Sequence, residues 1–389
     1  MRKGRDILWN LVIGLSVIGL GGCAAVYCAR AYGENPWNFA LRQVLWLGVG
    51  ILLFLLTALS PFRRLRKAAV PCVVLFFFIL LLTALYGVPV NGMSGWVPIP
   101  FLGIRIQPSE LAKAPFLLTL CIVAVQQNMS EWKRFFLLLG LTCLFVFAIL
   151  LQPDFGTATV YAAIFPILLF SAGFRKRIVA AVCFGWIPFV FLFLTRHPYA
   201  LKRISAYLNP DADLYGAGWH IHQFRFTMAN GGWTGSGEQG PLWANTYLPY
   251  SHSDSVFSTL VEASGMVGGT LVILGFCVML LLFRKASLET TRADAGLFLF
   301  CTGCMLTMQA FLHIGVNVTL LPPTGLPLPF FSYGGSNLAG VMMLLGAACS
   351  AYRCGESEAQ IDPETVQKHD QNNDGTDEAD QNRPESRQS

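Results

Sequence analysis

Long apolar runs decide the fold, and one of them, residues 68–88, reads AAVPCVVLFFFILLLTALYGV without a charged side chain. A run of this length spans the hydrocarbon core of a bilayer as one helix. Such runs recur along a chain that is 54% hydrophobic and 13% charged, with a mean hydropathy of +0.53. The sequence therefore predicts an all-α polytopic membrane protein with about ten transmembrane helices. The predicted spans are residues 7–28, 41–60, 68–88, 109–127, 135–152, 156–173, 178–195, 256–283, 293–316 and 336–352.

Lys and Arg residues mark every second loop between these spans. They lie near residues 2–5, 63–67, 133–134, 175–177, 284–292 and 353. Because short cytoplasmic loops retain positive charge, both termini are expected in the cytoplasm. The alternate segments 89–108, 196–255 and 317–335 are then expected on the outer face. Topology accounts for the net charge of +5, so no nucleic-acid partner is predicted.

The C-terminal residues differ in composition from the rest of the chain. Residues 355–389 contain ten Asp or Glu, three Lys or Arg and no aromatic residue. This composition is typical of disorder, so we expect a transmembrane domain at 1–354 and a disordered acidic cytoplasmic tail at 355–389. Most of the eleven cysteines lie inside predicted spans, where a thiol packs as a small apolar group, and no disulfide framework or metal site is predicted.

Two polar clusters stand at the outer ends of predicted spans. In the first, Glu110 precedes Lys113 by three residues on one helix face, which predicts an internal ion pair. That pair either neutralises itself inside the bundle or contributes to a site. In the second, Asp154 follows Gln152-Pro153 and is placed to cap the next helix, and this role competes with a catalytic one.

Two further clusters lie on the predicted outer face. The long segment 196–255 ends at Asp254, immediately before an apolar span. A partly desolvated carboxylate there would be a good proton acceptor, whereas the structural alternative is an N-cap of the next helix. Residues 321–336 are too rich in proline and glycine for a regular helix. Irregular backbone at membrane depth must be buried by protein or line a cavity, so a re-entrant segment walling an outward cavity is predicted.

Five motifs carry a resemblance that covers nearly the whole membrane domain. They are QPSELAK at 107–113, QPDFGTA at 152–158, NPDADLYGAGWHIHQ at 209–223, SHSDSVF at 251–257 and PPTGLPLPFFSYGGS at 322–336. In this order and on this topology, the chain resembles the SEDS family of RodA, FtsW and SpoVE. The resemblance implies a peptidoglycan glycosyltransferase that polymerises lipid II at the outer face of the bacterial cytoplasmic membrane, in elongation, division or sporulation. It also implies that Asp254 is the catalytic acid, and we expect it to act as the general base.

The resemblance implies a substrate site and a partner as well. Either Lys113 or Arg203 is expected to steady the leaving diphosphate. The residues expected to contact substrate are Glu110, Lys113, Asp154, Trp96, Arg203, His252, Ser332 and Tyr333. The expected partner is a class B penicillin-binding protein, a transpeptidase with one membrane span. No cofactor is required by the motifs, although a divalent cation bridging the diphosphate and Asp254 is chemically reasonable.

The chain departs from the family pattern at four positions. Tyr250 stands where a Glu is common, Gly95 replaces an Arg beside Trp96, Ser236 replaces a Lys, and Ala263 replaces a second acid that follows Glu262. These changes surround a retained Asp254. Two alternatives to the enzyme therefore stay open: a flippase for lipid-linked precursors, and an inactive scaffold for the transpeptidase.

Overall fold

Helices form nearly all of the regular structure. The computed structural model describes residues 14, 16, 18–31, 36–90, 93–99, 104–196, 198–213, 218–237 and 240–354. The helices are α1 (Ile18–Cys28), α2 (Pro36–Leu59), α3 (Phe62–Tyr86), α4 (Pro108–Ala124), α5 (Glu131–Leu150), α6 (Phe155–Ser171), α7 (Lys176–Arg196), α8 (Pro198–Leu208), α9 (Trp219–Gly231), α10 (Leu242–Tyr247), α11 (Val256–Glu289), α12 (Ala293–Asn317) and α13 (335–354). A short 3-10 helix, Pro210–Asp213, follows α8. The predicted tail at 355–389 lies outside the described residues.

Each predicted span overlaps a described helix, namely α1 to α7 and α11 to α13, and residues 7–13, 15 and 17 of the first span lie outside the described residues. Within the described part, five helices are long and apolar enough to cross a membrane: α2, α3, α5, α11 and α12. The shorter α1 and α6 are also apolar. The predicted fold class is therefore confirmed, and the chain is a multi-pass membrane protein. The number of crossings and their direction stay predictions.

Local sequence signals set several helix boundaries. Pro108 occupies the first turn of α4, where its missing N–H is not needed. Asp154 caps α6, because its Oδ1 accepts a hydrogen bond from the Thr157 amide at 3.0 Å. The predicted capping role of Asp154 is thus confirmed.

A small sheet joins α3 to α4 and was not predicted from the sequence. Its strands are β1 (Val88–Val90), β2 (Met93–Ile99) and β3 (Ile104–Ile106), paired antiparallel in the order β1-β2-β3. In the second pair, Val97 lies opposite Ile106 and Ile99 opposite Ile104. Strands of three residues carry too little alternation to be recognised in a sequence. The sheet lies beside the outer ends of α3 and α4 and covers part of the site described below.

The helices differ in how completely the protein surrounds them. In α12, 72% of the apolar window is buried, whereas in α3 and α11 the shares are 22% and 11%. The α4 helix is also buried on most of its faces. In a membrane protein an apolar side chain facing lipid needs no burial by protein. Helices α4 and α12 therefore form the centre, and α2, α3 and α11 present apolar faces outward.

The long helix α11 is broken at Gly265, whose φ of 72° and ψ of −176° are outside the helical range. A glycine-rich segment, residues 231–236, lies across this break. The amides of Met266 and Val267 donate to the carbonyls of Gly232 and Trp233, at 2.9 and 3.2 Å. Backbone groups freed by the break are therefore satisfied by the segment that packs on it.

Candidate active site

Asp254 lies in a turn, residues 249–255, immediately before the first residue of α11. Ser255 occupies the N-cap position of that helix, so the alternative in which Asp254 caps α11 is wrong. The backbone of Asp254 is held by α12, since Asn317 Nδ2 donates to the Asp254 carbonyl at 3.1 Å. The same Asn317 accepts from both the amide and the hydroxyl of Ser258, at 3.1 and 2.8 Å. One buried amide thus fixes the turn relative to two helices.

The irregular segment 320–334 packs directly on this turn. Ser332 Oγ donates to the Ser253 carbonyl at 2.7 Å and accepts from the Leu328 amide at 2.8 Å. The Tyr333 amide donates to the His252 carbonyl at 2.7 Å. Two residues predicted to bind substrate, Ser332 and Tyr333, therefore connect the irregular segment to the turn that carries Asp254.

Gly325 of the same segment faces the Asp254 carboxylate. A Cβ at position 325 would lie 3.5 Å from Asp254 Oδ2 and 3.6 Å from Met93 Cε of β2. A glycine leaves this side of the carboxylate uncovered, whereas a larger side chain would lie against it. The turn, the irregular segment and the small sheet therefore meet at Asp254.

Helix α12 supports the irregular segment from beneath. His313 Nδ1 donates to the Leu326 carbonyl at 2.7 Å, and Gln309 Nε2 donates to the Pro327 carbonyl at 2.9 Å. Leu326 and Leu328 are buried. The segment contains no helix or strand and protein buries part of it, whereas its re-entrant path stays a prediction. A cavity of about 720 Å³ borders the segment at Phe330 and Phe331 and is lined by apolar side chains, mainly of α11 and α13.

His252 lies in an aromatic group two residues before Asp254. Its ring contacts Phe39 and Tyr333 edge-on, with centroid distances of 5.2 and 5.4 Å. The guanidinium of Arg30 lies 4.3 Å from the Phe39 ring centroid. Burial, together with the charge of Arg30, lowers the pKa of His252 to about 4, so the imidazole is neutral at neutral pH.

Glu110 and Lys113 form the predicted ion pair, with 2.7 Å between Lys113 Nζ and Glu110 Oε2. Both side chains are only 1% exposed. Lys113 also donates to Gln309 Oε1 at 2.7 Å, and Gln309 reaches Asn337 of α13 at 3.2 Å. This polar chain joins α4, α12 and α13. The predicted ion pair is confirmed, and through Gln309 it contacts the irregular segment that faces Asp254.

Asp154 and Trp96 lie on the other side of α4. Asp154 Oδ2 accepts a hydrogen bond from the side-chain Nε2 of Gln107 at 2.8 Å. The backbone N–H of Gln107 donates to Ser336 Oγ at 2.9 Å. The Trp96 ring nitrogen is buried, without a hydrogen-bond partner among the described residues. Beside it, a Cβ at Gly95 would lie 2.9 Å from Gln152 Oε1. An Arg at position 95 would displace this buried amide, which explains the glycine.

The other departures from the family pattern lie around α10. The carboxylate of Glu262, 2% exposed, accepts from the amides of Trp243 and Ala244 at 2.9 and 2.7 Å and so caps the short helix. The Ser236 amide donates to the Glu262 carbonyl at 2.9 Å, and the Ser236 hydroxyl donates to the Gly240 carbonyl. Tyr250, half-exposed in the turn, has a φ of 52°. Glu262 thus has a structural role, and Ser236 stabilises its own loop.

One residue predicted to bind substrate, Arg203, cannot be placed, and four residues near the site were not predicted. The side chain of Arg203 lies outside the described part. In that part, no group of three or more His, Cys, Asp or Glu side chains is placed to hold a metal ion. Sequence patterns did not identify Arg30, Asn317, His313 or Gln309 as neighbours of the site. Gln309 and His313 are polar residues inside the predicted apolar span 293–316, and intramembrane polarity was the signal that could have found them. Arg30 and Asn317 lie just beyond their predicted spans.

Comparisons with known proteins agree with this architecture. Residues 6–353 match the family described as cell cycle proteins, that of FtsW, RodA and SpoVE. The chain is 30% identical over 367 residues to the probable peptidoglycan glycosyltransferase FtsW of Alcanivorax borkumensis, covering 88% of this chain and 91% of the relative. It is 32% identical over 355 residues to stage V sporulation protein E of Bacillus subtilis, covering 89% and 95%.

The fold agrees with a solved structure as well. A chain from a peptidoglycan synthase complex, studied for the structural coordination of polymerization and crosslinking, matches with a TM-score of 0.73 and 27% identity. The match covers 87% of this chain and 97% of that one. Since the family match extends over almost the entire described bundle and the fold agrees with it, the chain belongs to the SEDS family of FtsW, RodA and SpoVE.

Proposed function

We propose that this chain is a peptidoglycan glycosyltransferase that polymerises lipid II at the outer face of the cytoplasmic membrane, with Asp254 as the general base. The observation that carries the proposal is the placement of Asp254. Its backbone is fixed by Asn317 from α12, while its carboxylate faces Gly325 and Met93. A general base needs both a fixed position and a substrate-accessible side.

The proposed reaction inverts configuration at one carbon. The 4-hydroxyl of an acceptor GlcNAc attacks the anomeric carbon of a MurNAc, and the bond from that carbon to the diphosphate oxygen breaks. The Asp254 carboxylate takes the hydroxyl proton as the new glycosidic bond forms, and polyprenyl diphosphate leaves with the bonding electron pair. General-base assistance of this kind is worth about a hundred- to ten-thousandfold in rate.

The apolar cavity beside the irregular segment suits a lipid-linked substrate. It begins at Phe330 and Phe331, next to the residues that pack on the catalytic turn, and continues between α11 and α13. A polyprenyl chain lying there would keep its sugar headgroup at the outer face, near Asp254. The driving force is dispersion and the fit of an apolar chain to an apolar wall.

The leaving diphosphate requires positive charge, and two of the described cations are considered as candidates, one buried and one partly exposed. Lys113 is in a buried ion pair, so it would bind the diphosphate only by exchanging Glu110 for a phosphate oxygen. Arg30 is partly exposed beside Phe39 and His252, at the mouth of the site. We therefore propose Arg30 as a diphosphate contact beside the predicted Lys113 and Arg203.

The other predicted substrate residues have supporting roles in this proposal. His252, Ser332 and Tyr333 hold the turn and the irregular segment together and border the substrate space. Glu110 and Asp154 stabilise the α4 side of the site through Lys113 and Gln107. Trp96 lies on β2 and would pack against lipid or sugar. Were a divalent cation to bind, Asp254 would hold it, and the cation would stabilise the negative charge that develops on the leaving group.

The partner is proposed to be a class B penicillin-binding protein. The solved chain with the same fold comes from a complex that couples polymerization and crosslinking. A transpeptidase with one span would dock on the lipid-facing surface of the bundle and on the outer loop. The loop charges support a cytoplasmic location for both termini and the acidic tail, opposite the site.

Polymerisation of labelled lipid II tests the proposal directly. The purified protein is assayed alone and with its transpeptidase, as wild type, Asp254→Asn and Asp211→Asn. Asp211 is a matched control, because it is an outer-loop acid with a 79% exposed side chain. Wild type and Asp211→Asn should make glycan strands, and Asp254→Asn should lose at least a hundredfold in rate.

Three results would overturn the assignment. Strand synthesis by Asp254→Asn at the wild-type rate would exclude Asp254 as the base. No synthesis by any variant, with transpeptidase binding intact, would favour the scaffold. Movement of a labelled precursor across vesicles without strand synthesis would favour the flippase.

A further inference from the structure

A second polar site lies at the opposite end of the bundle from Asp254. It is a cavity of about 370 Å³ at the start of α12, where Arg66 of α3 and Arg292 line the wall together with the end of α4. The loop charges place this end on the cytoplasmic side. Neither the motifs nor the proposed glycosyltransferase chemistry uses these residues.

Two guanidinium groups converge on one carboxylate in this cavity. Arg66 Nε lies 2.6 Å from Asp294 Oδ2, and Arg292 Nε lies 2.7 Å from Asp294 Oδ1. Asp294 is 3% exposed and also accepts from the Ala295 amide at 3.0 Å. Two positive charges against one negative charge leave a net charge of +1 at the cavity wall.

Arg66 is held loosely by this arrangement. Its Nε forms an ion pair with Asp294, but the N–H does not point at the oxygen, so no hydrogen bond is formed. In the described part of the chain, the guanidinium makes no other polar contact, and the side chain is 33% exposed. Arg66 therefore retains hydrogen-bond donors for a ligand that enters the cavity.

The cavity wall combines polar and apolar side chains. Ile122 and Val125, at the end of α4, lie beside Gln126, Arg66 and Arg292. These two apolar residues fall in the predicted span 109–127, so the site is at the level of the membrane surface. A ligand there meets hydrocarbon on one side and guanidinium groups on the other.

We infer that this cavity binds the phosphate group of an anionic phospholipid of the inner leaflet. Guanidinium groups match phosphate oxygens in shape and charge. Basic pockets between transmembrane helices on the cytoplasmic side are sites where anionic headgroups bind. The positive end of the α12 helix dipole adds to the attraction. This inference does not depend on the proposed glycosyltransferase activity.

Lipid retention by the full-length protein tests the inference. Delipidated protein in detergent is titrated with phosphatidylglycerol or phosphatidylcholine, and bound lipid is counted by native mass spectrometry. Wild type should bind phosphatidylglycerol more tightly than phosphatidylcholine. Arg66→Gln should weaken phosphatidylglycerol binding by about ten- to a hundredfold, the range for hydrogen bonds to a charged group.

Arg64→Gln is the matched control, since Arg64 lies on the same helix, is exposed and does not line the cavity. It removes one surface charge and should weaken binding by about fivefold at most. Asp294→Asn keeps both guanidinium groups while removing the internal carboxylate, and it should bind at least as much phosphatidylglycerol as wild type. A melting curve of each variant distinguishes lost binding from lost folding.

The outcomes separate the lipid site from its alternatives. Equal effects of Arg66→Gln and Arg64→Gln, or equal binding of the two lipids by wild type, would show that the three residues only connect α3 to α12. Loss of phosphatidylglycerol binding in Asp294→Asn would show the same. Displacement of phosphatidylglycerol by millimolar inorganic phosphate would assign the cavity to a soluble anion and overturn the lipid assignment. Retention of phosphatidylglycerol in the presence of inorganic phosphate would support the assignment of the cavity to a lipid.

Discussion

Backbone contacts fix the residues around Asp254 more than side-chain contacts do. The carbonyls of His252, Ser253 and Asp254 each accept a hydrogen bond from another segment. The irregular segment and α12 therefore hold the turn through its own backbone carbonyls.

The Glu110–Lys113 pair makes a prediction about stability. Breaking a buried pair leaves an uncompensated charge, so Glu110→Gln or Lys113→Met alone should cost about 3–5 kcal/mol in the free energy of unfolding. The double variant leaves no charge and should be more stable than either single variant. Thermal unfolding can be followed by maleimide labelling of buried thiols such as Cys121 and Cys301. If the loss in unfolding free energy of the double variant equals the sum of the two single losses, this account is contradicted.

His252 makes a prediction about pH. Because burial and Arg30 lower its folded pKa to about 4, the unfolded chain, with an ordinary pKa near 6.5, binds more protons between those values. Stability should therefore fall as the pH is lowered from about 6.5 to about 4, and this loss is complete below the folded pKa.

His252→Gln removes the titrating group. When the pH is lowered from 7 to 4.5, the melting temperature of this variant should therefore fall less than that of wild type. Carboxylates titrate in both proteins, so the difference between them reports His252. Parallel melting curves across this pH range would show that the imidazole is not held neutral by the fold.

Gly325 makes a prediction about access to the carboxylate. A Cβ there would be in ordinary contact with Asp254 Oδ2, so Gly325→Ala should fold and retain activity. Gly325→Val places two more carbons beside the carboxylate and should reduce strand synthesis by tenfold or more while leaving the melting temperature within a few degrees of wild type. Full activity of Gly325→Val would place the substrate on another side of Asp254.

At the scale of elements, the break in α11 and the glycine-rich segment 231–236 that lies across it act as one unit. We call this segment the brace. Gly231, Gly235 and Gly265 each approach a backbone carbonyl so closely that an added Cβ would lie 2.2–2.3 Å from it. This contact positions the outer start of α11, and hence the turn with Asp254, relative to the loop that carries α9 and α10. The irregular segment depends similarly on α12, through His313 and Gln309.

Gly265→Ala tests the brace. A Cβ would lie 2.2 Å from the Trp233 carbonyl oxygen, in a backbone conformation that only glycine adopts easily. Strain alone costs roughly 1–3 kcal/mol, and the clash adds to it. Gly275→Ala is the control on the same helix, since nothing lies within 4 Å of its Cβ position. We expect a lower melting temperature for Gly265→Ala only, and equal effects would contradict the brace.

At the scale of the whole molecule, polarity is concentrated inside the bundle and apolar surface outside. Lys113 and Gln309 are buried at the centre, whereas Leu45, Leu85 and Leu271 are 71%, 75% and 64% exposed. A soluble protein has the opposite distribution. The outward apolar surface contacts lipid and leaves space for the span of a partner, while the two polar sites lie at opposite ends of the bundle.

Topology is testable at this scale with two exposed residues in opposite loops. In intact cells, Asn209→Cys should react with a membrane-impermeant maleimide, because residues 196–255 are predicted outside. Asn128→Cys should react only after permeabilisation. The protein without either substitution is labelled in parallel, to measure any reaction of its native cysteines. The reverse labelling pattern would show that the predicted orientation is inverted.

Local patterns in the sequence were sufficient for much of this protein. Spans of apolar residues identified the helices, Asp154 was recognised as a cap, and Glu110 was paired with Lys113, because each of these depends on residues within one or two turns. The motifs also identified Asp254 by resemblance, before any contact was known.

Tertiary structure alone decided how distant segments meet. It placed Asn317 and Gly325 beside Asp254, Arg30 beside His252, and Glu262 at the start of α10, and it formed the small sheet over the site. It also converted the glycine-rich run into a brace for the α11 break. These contacts join residues far apart along the chain, and their geometry depends on the packing of all the helices together. Periodicity and capping, which act within a single element, carry no information about that packing.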